Sequence, residues 1–420
     1  MRSPARVIGI IVGSLAILGL LLYAPAMLLG PLPAVTVRAD PDAPVVPGAA
    51  ALALPEQGAN AMVLTGADGA STPLATSGVT EAVPMGSAAK LVTLLVTLES
   101  LPLPAVGDGE GPMIKIGPDD YTNYLKYVAE DTRTLQVSPG DSWSQRDVVR
   151  AILLTSSNNH ADTLARWAFG GVQAYADAAN DWLAEQGFTS THVDDATGLS
   201  GENVSTASEV AALAALALAD PSISAMLADP DQAPIGAHAA PDLVDRSGDD
   251  GIREITRGYT DEAGLSSVFT IEVPGADADA DASRWVVGAM LTMPDYETLD
   301  PAITAAVESA AAASAPVTVI TEGAAYASVE SAWGETSKVI ATVSRADAPW
   351  GAEFGRAEID VEPFSTSSDA RDVGRVTVTT GDDEVSSPLR LTESISDPGP
   401  IWRLTHPFPV VGAFLEAQAE

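Results

Sequence analysis

The feature that most constrains how this chain folds is a lysine placed inside an otherwise uncharged helical stretch, residues 84–98. Ser87 and Lys90 are three positions apart, so on a helix they share one face, one turn from each other. Residues 91–98 are aliphatic or threonine, a composition typical of a helix that is buried on most sides. Pro84 precedes the first turn, so we expect Ser87 near the helix N-terminus, where the helix dipole favours negative charge.

This pair of residue types indicates an activated nucleophile. A serine hydroxyl is a weak nucleophile until a base removes its proton. A lysine can act as that base only when it is neutral, and burial among apolar residues lowers the pKa of an amine. The alternative is that Ser87 caps the helix and Lys90 extends to solvent. The stretch alone does not decide between the two interpretations.

The N-terminal region predicts export. Residues 7–29 form an almost unbroken apolar run preceded by Arg2 and Arg6. A run of this length can span a bilayer, and the positive charge before it places the N-terminus in the cytoplasm. Ala24-Pro25-Ala26 could instead be a signal-peptidase site. We therefore expect residues 1–30 to be a single-pass transmembrane anchor, or a signal whose cleavage gives a secreted protein.

Charge and cysteine content exclude several functions. The chain has 21 Lys+Arg against 57 Asp+Glu, a formal net charge of −36, so it is unsuited to neutralising the phosphates of a nucleic acid. It contains no cysteine, which excludes disulfides and thiolate metal sites. The histidines have no close metal-ligand spacing, so we expect no metal and no cofactor. They are His160, His192, His238 and His406.

Residues 56–314 have the pattern of a mixed α and β domain, preceded by a Pro/Ala-rich tether at residues 31–55. Alternating and apolar runs predict strands over residues 61–65, 72–75, 267–273 and 285–293. Helical period and start signals predict helices over residues 144–154, 161–169, 210–218 and 301–313. The polar run at residues 155–160 is either a solvated turn or a loop that points into a cleft.

From residue 315 to residue 420 the pattern changes. Short β-rich runs alternate with Gly, Pro and Asp turns and show little helical period. This pattern predicts a separate, small all-β C-terminal domain.

Three motifs together resemble those of the serine D-alanyl-D-alanine carboxypeptidases, the low-molecular-weight penicillin-binding proteins. Ser87-x-x-Lys90 is similar to S-x-x-K, Ser156-Ser157-Asn158 to the Ser-x-Asn element, and a Gly-Tyr-Thr turn at residues 258–260 precedes paired strands. The resemblance covers roughly residues 55–300. It implies an α/β (α+β) transpeptidase domain like that of penicillin-binding proteins and β-lactamases, with an antiparallel sheet flanked by helices and a helical subdomain.

The resemblance also implies a role for each matched residue. Ser87 would attack the carbonyl carbon between the last two D-alanines of a peptidoglycan stem peptide, and Lys90 would take its proton. Ser156 would relay protons, and Asn158 would hold the substrate backbone. The backbone N–H groups of Ser87 and Tyr259 would form an oxyanion hole. β-Lactam antibiotics would be covalent inhibitors of the same serine.

One motif departs from the family pattern. Where the family has Lys-Thr-Gly on the strand beside the cleft, this chain has Thr256-Arg257-Gly258. The family lysine attracts the substrate carboxylate and helps to keep the base neutral. Arg257 could replace that charge and bind a carboxylate with two hydrogen bonds. However, Arg257 is the middle residue of the motif, and in a strand its side chain points to the face opposite that of its neighbours. Arg253 is a less suitable substitute. We expect Thr256, Arg257, Gly258 and Tyr259 to contact substrate.

The sequence leaves three functions open. A membrane-anchored carboxypeptidase fits the two intact motifs and the predicted export of the protein. A catalytically impaired relative that binds cell-wall peptides or an envelope protein fits the missing lysine. A β-lactamase would use the same nucleophile geometry, but it needs neither a second domain nor a tether.

Overall fold

A computed structural model of the chain describes residues 21–44, 51–66, 68–228, 252–273, 284–315, 317–347, 354–380 and 383–418, with isolated positions before residue 21 and at residue 235. The chain divides into two compact units. One is Ala50–Ala315, and the other combines Met1–Ala49 with Pro316–Glu420. Each unit has its own cluster of buried apolar side chains.

A five-stranded antiparallel sheet is the framework of the first unit. Its strands run in the order Ser71–Gly78, Ala59–Thr65, Arg284–Met293, Gly264–Val273 and Arg253–Thr260. The three central strands are buried at nearly every residue, which requires cover on both faces of the sheet. Helix Ala207–Ala219 packs on all three of these strands, and helix Tyr296–Ser314 packs on two of them. The predicted antiparallel sheet with flanking helices is thus confirmed.

Three of the five remaining described helices of this unit pack against the Lys90 helix, Ala89–Ser100. Nine of its twelve residues are buried, as expected from its uncharged run at residues 91–98. The other helices are Pro118–Ala129, Gln145–Thr155, Asn158–Phe169, Val172–Glu185 and Pro221–Ala228. Two short strand pairs complete the unit, Val83–Pro84 with Val204–Ser205 and Met113–Lys115 with Ser142–Ser144.

Helix starts follow side-chain caps where the sequence provides them. Ser144 accepts a hydrogen bond from the N–H of Asp147, which confirms the predicted start there. Thr206 accepts one from the N–H of Glu209, and this helix begins at Ala207, three residues before the predicted residue 210. The predicted start at Pro301 is wrong. Asp295 caps this helix by accepting from the N–H of Thr298, and the proline lies inside the helix.

The second unit is mainly β-structure. A six-stranded sheet has the order Thr36–Ala39, Ala325–Glu330, Thr336–Ala341, Asp383–Leu391, Asp372–Thr380 and Glu358–Val361. A two-stranded sheet joins Val317–Ile320 to Arg345–Asp347. Helices Gly399–Thr405 and Pro407–Glu416 follow the last strand, so this unit is not purely β.

The first strand of that sheet comes from the N-terminal segment for which the sequence predicts a tether. Thr36–Ala39 pairs antiparallel with Ala325–Glu330, in a register that places Val37 opposite Val329. Because four residues are too few to show a strand period, the pattern of residues 31–55 does not reveal this pairing.

About half of the predicted membrane-spanning run, residues 7–29, lies outside the described residues, and its described positions, 13, 17, 19 and 21–29, are helical. In the part of the chain that the structure describes, no single helix has both the length and the apolar composition to cross a bilayer. The bent pair Ala207–Ala219 and Pro221–Ala228 meets both conditions only when combined.

Candidate active site

Ser87 lies in a single 3₁₀ turn, Gly86–Ala88, that continues directly into the Lys90 helix. Gly86 has a φ of +54°, and a side chain at this position would approach Ser266 Oγ at 3.1 Å. The N–H of Met85 donates to the carbonyl oxygen of Asn203 at 2.9 Å, which holds the turn from the other side. Ser87 is therefore fixed, half-buried, at the start of the helix.

Lys90 is buried, with 3% of its surface exposed, so the alternative in which it extends to solvent is excluded. Its Nζ lies 3.5 Å from Ser87 Oγ and donates a hydrogen bond of 2.6 Å to the carbonyl oxygen of Thr197. Burial lowers the pKa of Lys90 from 10.5 to about 7; the Asp195 carboxylate opposes this shift and the Arg133 guanidinium adds to it. A large fraction of Lys90 is consequently neutral near pH 7, as a base for Ser87 must be.

The Thr197 carbonyl is held in place by a loop that Asp195 organises. The Asp195 carboxylate accepts hydrogen bonds from the N–H groups of Thr197, Gly198 and Ser200 at 2.7, 2.7 and 2.8 Å. Gly198 has a φ of +82°, and a Cβ there would lie 1.8 Å from the carbonyl oxygen of Gly86. The loop thus touches the Ser87 turn. Thr197 is not among the predicted catalytic residues; the signal for it is the Asp-x-Thr-Gly pattern, typical of an Asx turn.

Ser156 ends helix Gln145–Thr155 in the left-handed conformation, with φ of 56°. Few non-glycine residues adopt this conformation, and those that do cluster at functional sites. Ser156 and Asn158 are both 3% exposed, and within the described residues neither Ser156 Oγ nor Asn158 Oδ1 has a hydrogen-bond partner. All of residues 155–160 are buried, so this polar run is not a solvated turn.

A narrow cleft with about 240 Å³ of empty space brings four predicted site residues together. Its lining combines these polar groups with an apolar wall. The lining residues are Ser87, Lys90, Leu91, Leu94, Ile152, Leu153, Ser156, Ile255 and Thr256.

The strand beside the cleft, Arg253–Thr260, carries a bulge that decides which side chains face Ser87. Its register with the neighbouring strand shifts between Glu254 and Thr256, so Ile255 and Thr256 both line the cleft. Thr256, in the position of the family lysine, is buried, and no described residue hydrogen-bonds to its Oγ1. The cleft strand therefore contributes a neutral hydroxyl where the family pattern has a cation.

Gly258 and Tyr259 follow on the same strand. A Cβ on Gly258 would lie 3.1 Å from Ser87 Oγ, so this backbone runs next to the nucleophile. The ring of Tyr259 is 60% exposed and its hydroxyl donates to Asp261 at 3.2 Å. The backbone of Tyr259, rather than its ring, is therefore the part that can contact a group bound to Ser87.

Arg257 is directed away from the cleft. Its guanidinium donates to Glu254 Oε1 at 2.8 Å, contacts the Asp300 carboxylate, and lies 4.8 Å from the centre of the Tyr296 ring. Two carboxylates therefore neutralise its charge, and the predicted grip of Arg257 on a substrate carboxylate is not supported. Arg253, the less suitable substitute, lies 5.8 Å from the centre of the Trp285 ring.

No histidine in the described part of the chain lines the cleft, and His238 lies outside the described residues. His160 is fully buried, where its Nδ1 lies 2.8 Å from Ser157 Oγ and its ring packs 4.5 Å from that of Trp143. In the described ranges, no three His, Cys, Asp or Glu side chains are grouped so that they could hold a metal ion.

Known proteins share both the sequence and the fold of this unit. The family model for peptidase S11, D-alanyl-D-alanine carboxypeptidase, matches residues 49–271, more than half of the chain. The D-alanyl-D-alanine carboxypeptidase DacB2 of Mycobacterium tuberculosis is 34% identical over 97 residues, which are 22% of this chain. The match spans 33% of the length of that relative.

Two solved structures show the fold. Penicillin binding protein 6B from Escherichia coli is 16% identical with a TM-score of 0.52, over 83% of this chain and 97% of its own. Penicillin binding protein 5 from Haemophilus influenzae is 15% identical with a TM-score of 0.51, over 82% of this chain and 99% of its own. The predicted penicillin-binding-protein fold is thus confirmed, and the chain belongs to the D-alanyl-D-alanine carboxypeptidase family, peptidase S11.

Proposed function

We propose that this protein is a serine-type D-alanyl-D-alanine carboxypeptidase that removes the terminal D-alanine from peptidoglycan stem peptides, and that β-lactams acylate the same serine. The observation that carries the proposal is the buried amine of Lys90, 3.5 Å from Ser87 Oγ, with a pKa lowered to about 7. Membership of the family supports the substrate class.

In the proposed reaction, neutral Lys90 accepts the proton of the Ser87 hydroxyl as Oγ bonds to the carbonyl carbon between the two D-alanines. The negative charge that develops on the carbonyl oxygen is stabilised by the backbone N–H groups of Ser87 and Tyr259. The proton then passes through the unpartnered hydroxyl of Ser156 to the leaving amine, and the C–N bond breaks. Water hydrolyses the Ser87 ester by the same proton transfers in reverse, which releases the shortened peptide. Asn158 is assigned to hold the substrate backbone.

A second candidate function is a non-catalytic module that binds cell-wall peptides or an envelope protein. The observation that favours it is the neutral Thr256 in the position of the family lysine, combined with the double ion pair of Arg257. This candidate predicts a cleft that binds peptide without forming an acyl-enzyme.

Two assays on the purified protein separate these functions. The proposal predicts covalent labelling by a fluorescent penicillin and release of D-alanine from diacetyl-L-Lys-D-Ala-D-Ala, both abolished in Ser87→Ala. A folded wild-type protein that binds the peptide without either reaction would establish the binding module instead. Rapid turnover of a chromogenic cephalosporin would identify a β-lactamase.

We further propose that the protein is exported and that residues 1–30 hold it in the cytoplasmic membrane with the catalytic unit outside. The support is the apolar run at residues 7–29 behind Arg2 and Arg6. Fractionation of cells that express the full chain tests it. The protein should remain in the membrane pellet after carbonate extraction and be degraded by protease added outside the membrane. Release into the medium would indicate cleavage near Ala24-Pro25-Ala26, and recovery in the cytosol would contradict export.

A further inference from the structure

The proposed substrate ends in a carboxylate, and the protein that must bind it has a formal net charge of −36. A carboxylate therefore needs a local positive charge at the cleft. The cleft strand does not provide one, because Thr256 is neutral and Arg257 is bound to Glu254 and Asp300. Arg253, at the start of the strand, lies against the Trp285 ring and does not line the cleft. Lys90, which must be neutral to act as a base, cannot provide it either.

A different segment brings an arginine next to the loop that carries Ser156 and Asn158. The N–H of Asn158 donates to the carbonyl oxygen of Arg133 at 2.9 Å. Two residues later, the N–H of Leu135 donates to Ser157 Oγ at 3.2 Å and to Asn159 Oδ1 at 3.1 Å, and Asn159 Nδ2 donates back to the Leu135 carbonyl at 3.0 Å. These bonds fix the backbone of Arg133 against the loop that carries Ser156 and Asn158.

The Arg133 side chain differs from that of Arg257 in every respect that matters for ligand binding. It is exposed, and no described carboxylate lies within ion-pair distance of its guanidinium, whereas Arg257 is half-buried and doubly paired. Its charge also lies close enough to Lys90 to lower the pKa of that amine. An exposed guanidinium with no described carboxylate partner thus belongs to a residue whose backbone is bonded to Asn158, and its charge acts on the base.

We propose that Arg133 binds the C-terminal carboxylate of the substrate and so replaces, from the Ser156 loop, the cation that the cleft strand lacks. A guanidinium is suited to this task because its planar fork donates two parallel hydrogen bonds to a carboxylate. The inference rests on the proposed function, since it assigns the residue that selects a peptide with a free carboxyl end.

The test compares kcat/KM for diacetyl-L-Lys-D-Ala-D-Ala with kcat/KM for the same peptide ending in a carboxamide. Wild type should prefer the carboxylate. Arg133→Ala should lose about 10- to 100-fold in kcat/KM on the carboxylate, mainly through KM, and little on the carboxamide. Arg133→Lys should keep part of the preference, and Arg133→Glu should reverse it. Lys126→Ala is the matched control, because it removes one exposed positive charge whose partner is Glu130.

The outcomes separate this inference from the proposed function. If the wild-type protein releases no D-alanine and is not acylated by penicillin, the proposed function is contradicted before any variant is compared. This inference is then contradicted with it. An active wild type whose carboxylate preference persists in both Arg133→Ala and Arg133→Glu overturns the role of Arg133 alone. Loss of preference in Lys126→Ala as well would assign the effect to overall charge and would also overturn it.

Discussion

The side-chain nitrogen of Lys90 lies 2.6 Å from the carbonyl oxygen of Thr197, 107 positions later in the chain. A neutral amine that donates one N–H to this carbonyl keeps its lone pair for another group, and Ser87 Oγ lies 3.5 Å away. The loop that Asp195 organises therefore orients the base. Hydrogen bonds from a second layer of residues orient the ligands of a metal ion in the same way.

The rate of acylation should rise with pH through a midpoint of about 7. Below that pH Lys90 is protonated and cannot accept the Ser87 proton, because burial sets the pKa of this amine at about 7. Second-order rates of labelling by a fluorescent penicillin, measured from about pH 5 to pH 9, give the midpoint. A rate that still rises towards pH 10.5, the ordinary pKa of lysine, would contradict a buried base.

Lys90→Met should remove activity and change how stability depends on pH. Acylation should fall by about 10²- to 10⁴-fold, the usual contribution of a general base. Because folding lowers the pKa of Lys90 from 10.5 to about 7, the unfolded chain binds more protons between these values. The contribution of Lys90 to stability therefore rises with pH in this window, and below about pH 7 its burial cost is fully present.

The stability of this variant is measured by urea unfolding at about pH 6 and about pH 9.5. The free energy of unfolding of Lys90→Met, relative to wild type, should be higher at the lower pH by a few kcal/mol. The unsatisfied Thr197 carbonyl lowers both values equally, so it does not affect the difference. A difference that is independent of pH would show that Lys90 is not buried in the folded protein.

Gly198→Ala should disturb the site far more than an alanine at another glycine of the same conformation. Its Cβ would lie 1.8 Å from the Gly86 carbonyl oxygen, so the Thr197 loop must move from the Ser87 turn. Gly170 has a φ of +83° and nothing within 4 Å of its Cβ position, so Gly170→Ala reports backbone strain alone, about 1 kcal/mol. Gly198→Ala should lose more stability than this and acylate more slowly. Equal unfolding free energies and rates in both variants would contradict the contact.

Thr256→Lys should strengthen the site if the missing family cation limits it. A lysine here would place a second positive charge beside Lys90 in the cleft, which lowers the pKa of the base and attracts the substrate carboxylate. We expect kcat/KM to rise by about tenfold and the acid limb of the pH profile to move to lower pH. Thr256→Met, of similar length without charge, is the control. Identical kinetics in the two variants would show that charge at this position is unimportant.

Much of this site could be predicted from local sequence. The spacing of Ser87 and Lys90 and the uncharged residues after them specify a buried pair on one helix face, and Ser156 is within a recognisable motif. Contacts between distant segments could not be predicted in this way. The Thr197 carbonyl reaches Lys90 only through the loop fold, and the Arg133 backbone joins Asn158 through tertiary hydrogen bonds.

Two differences between the sequence-based predictions and the structure have equally specific causes. Arg257 was a candidate because of its charge, and the bulge that brings Ile255 and Thr256 to the cleft leaves its guanidinium with Glu254 and Asp300. Thr36–Ala39 is too short to show a strand pattern of its own, and its partner strand, Ala325–Glu330, comes almost 300 positions later.

The most direct test of the central claim is the intact mass of the protein after incubation with benzylpenicillin at about pH 8, where Lys90 is mostly neutral. The wild type should gain the mass of one penicillin, located by peptide mapping to Ser87, whereas Ser87→Ala should gain none and Lys90→Met should react far more slowly. A folded wild type that gains no mass, or that carries the adduct on another residue, would contradict the assignment of Ser87 and Lys90 as nucleophile and base.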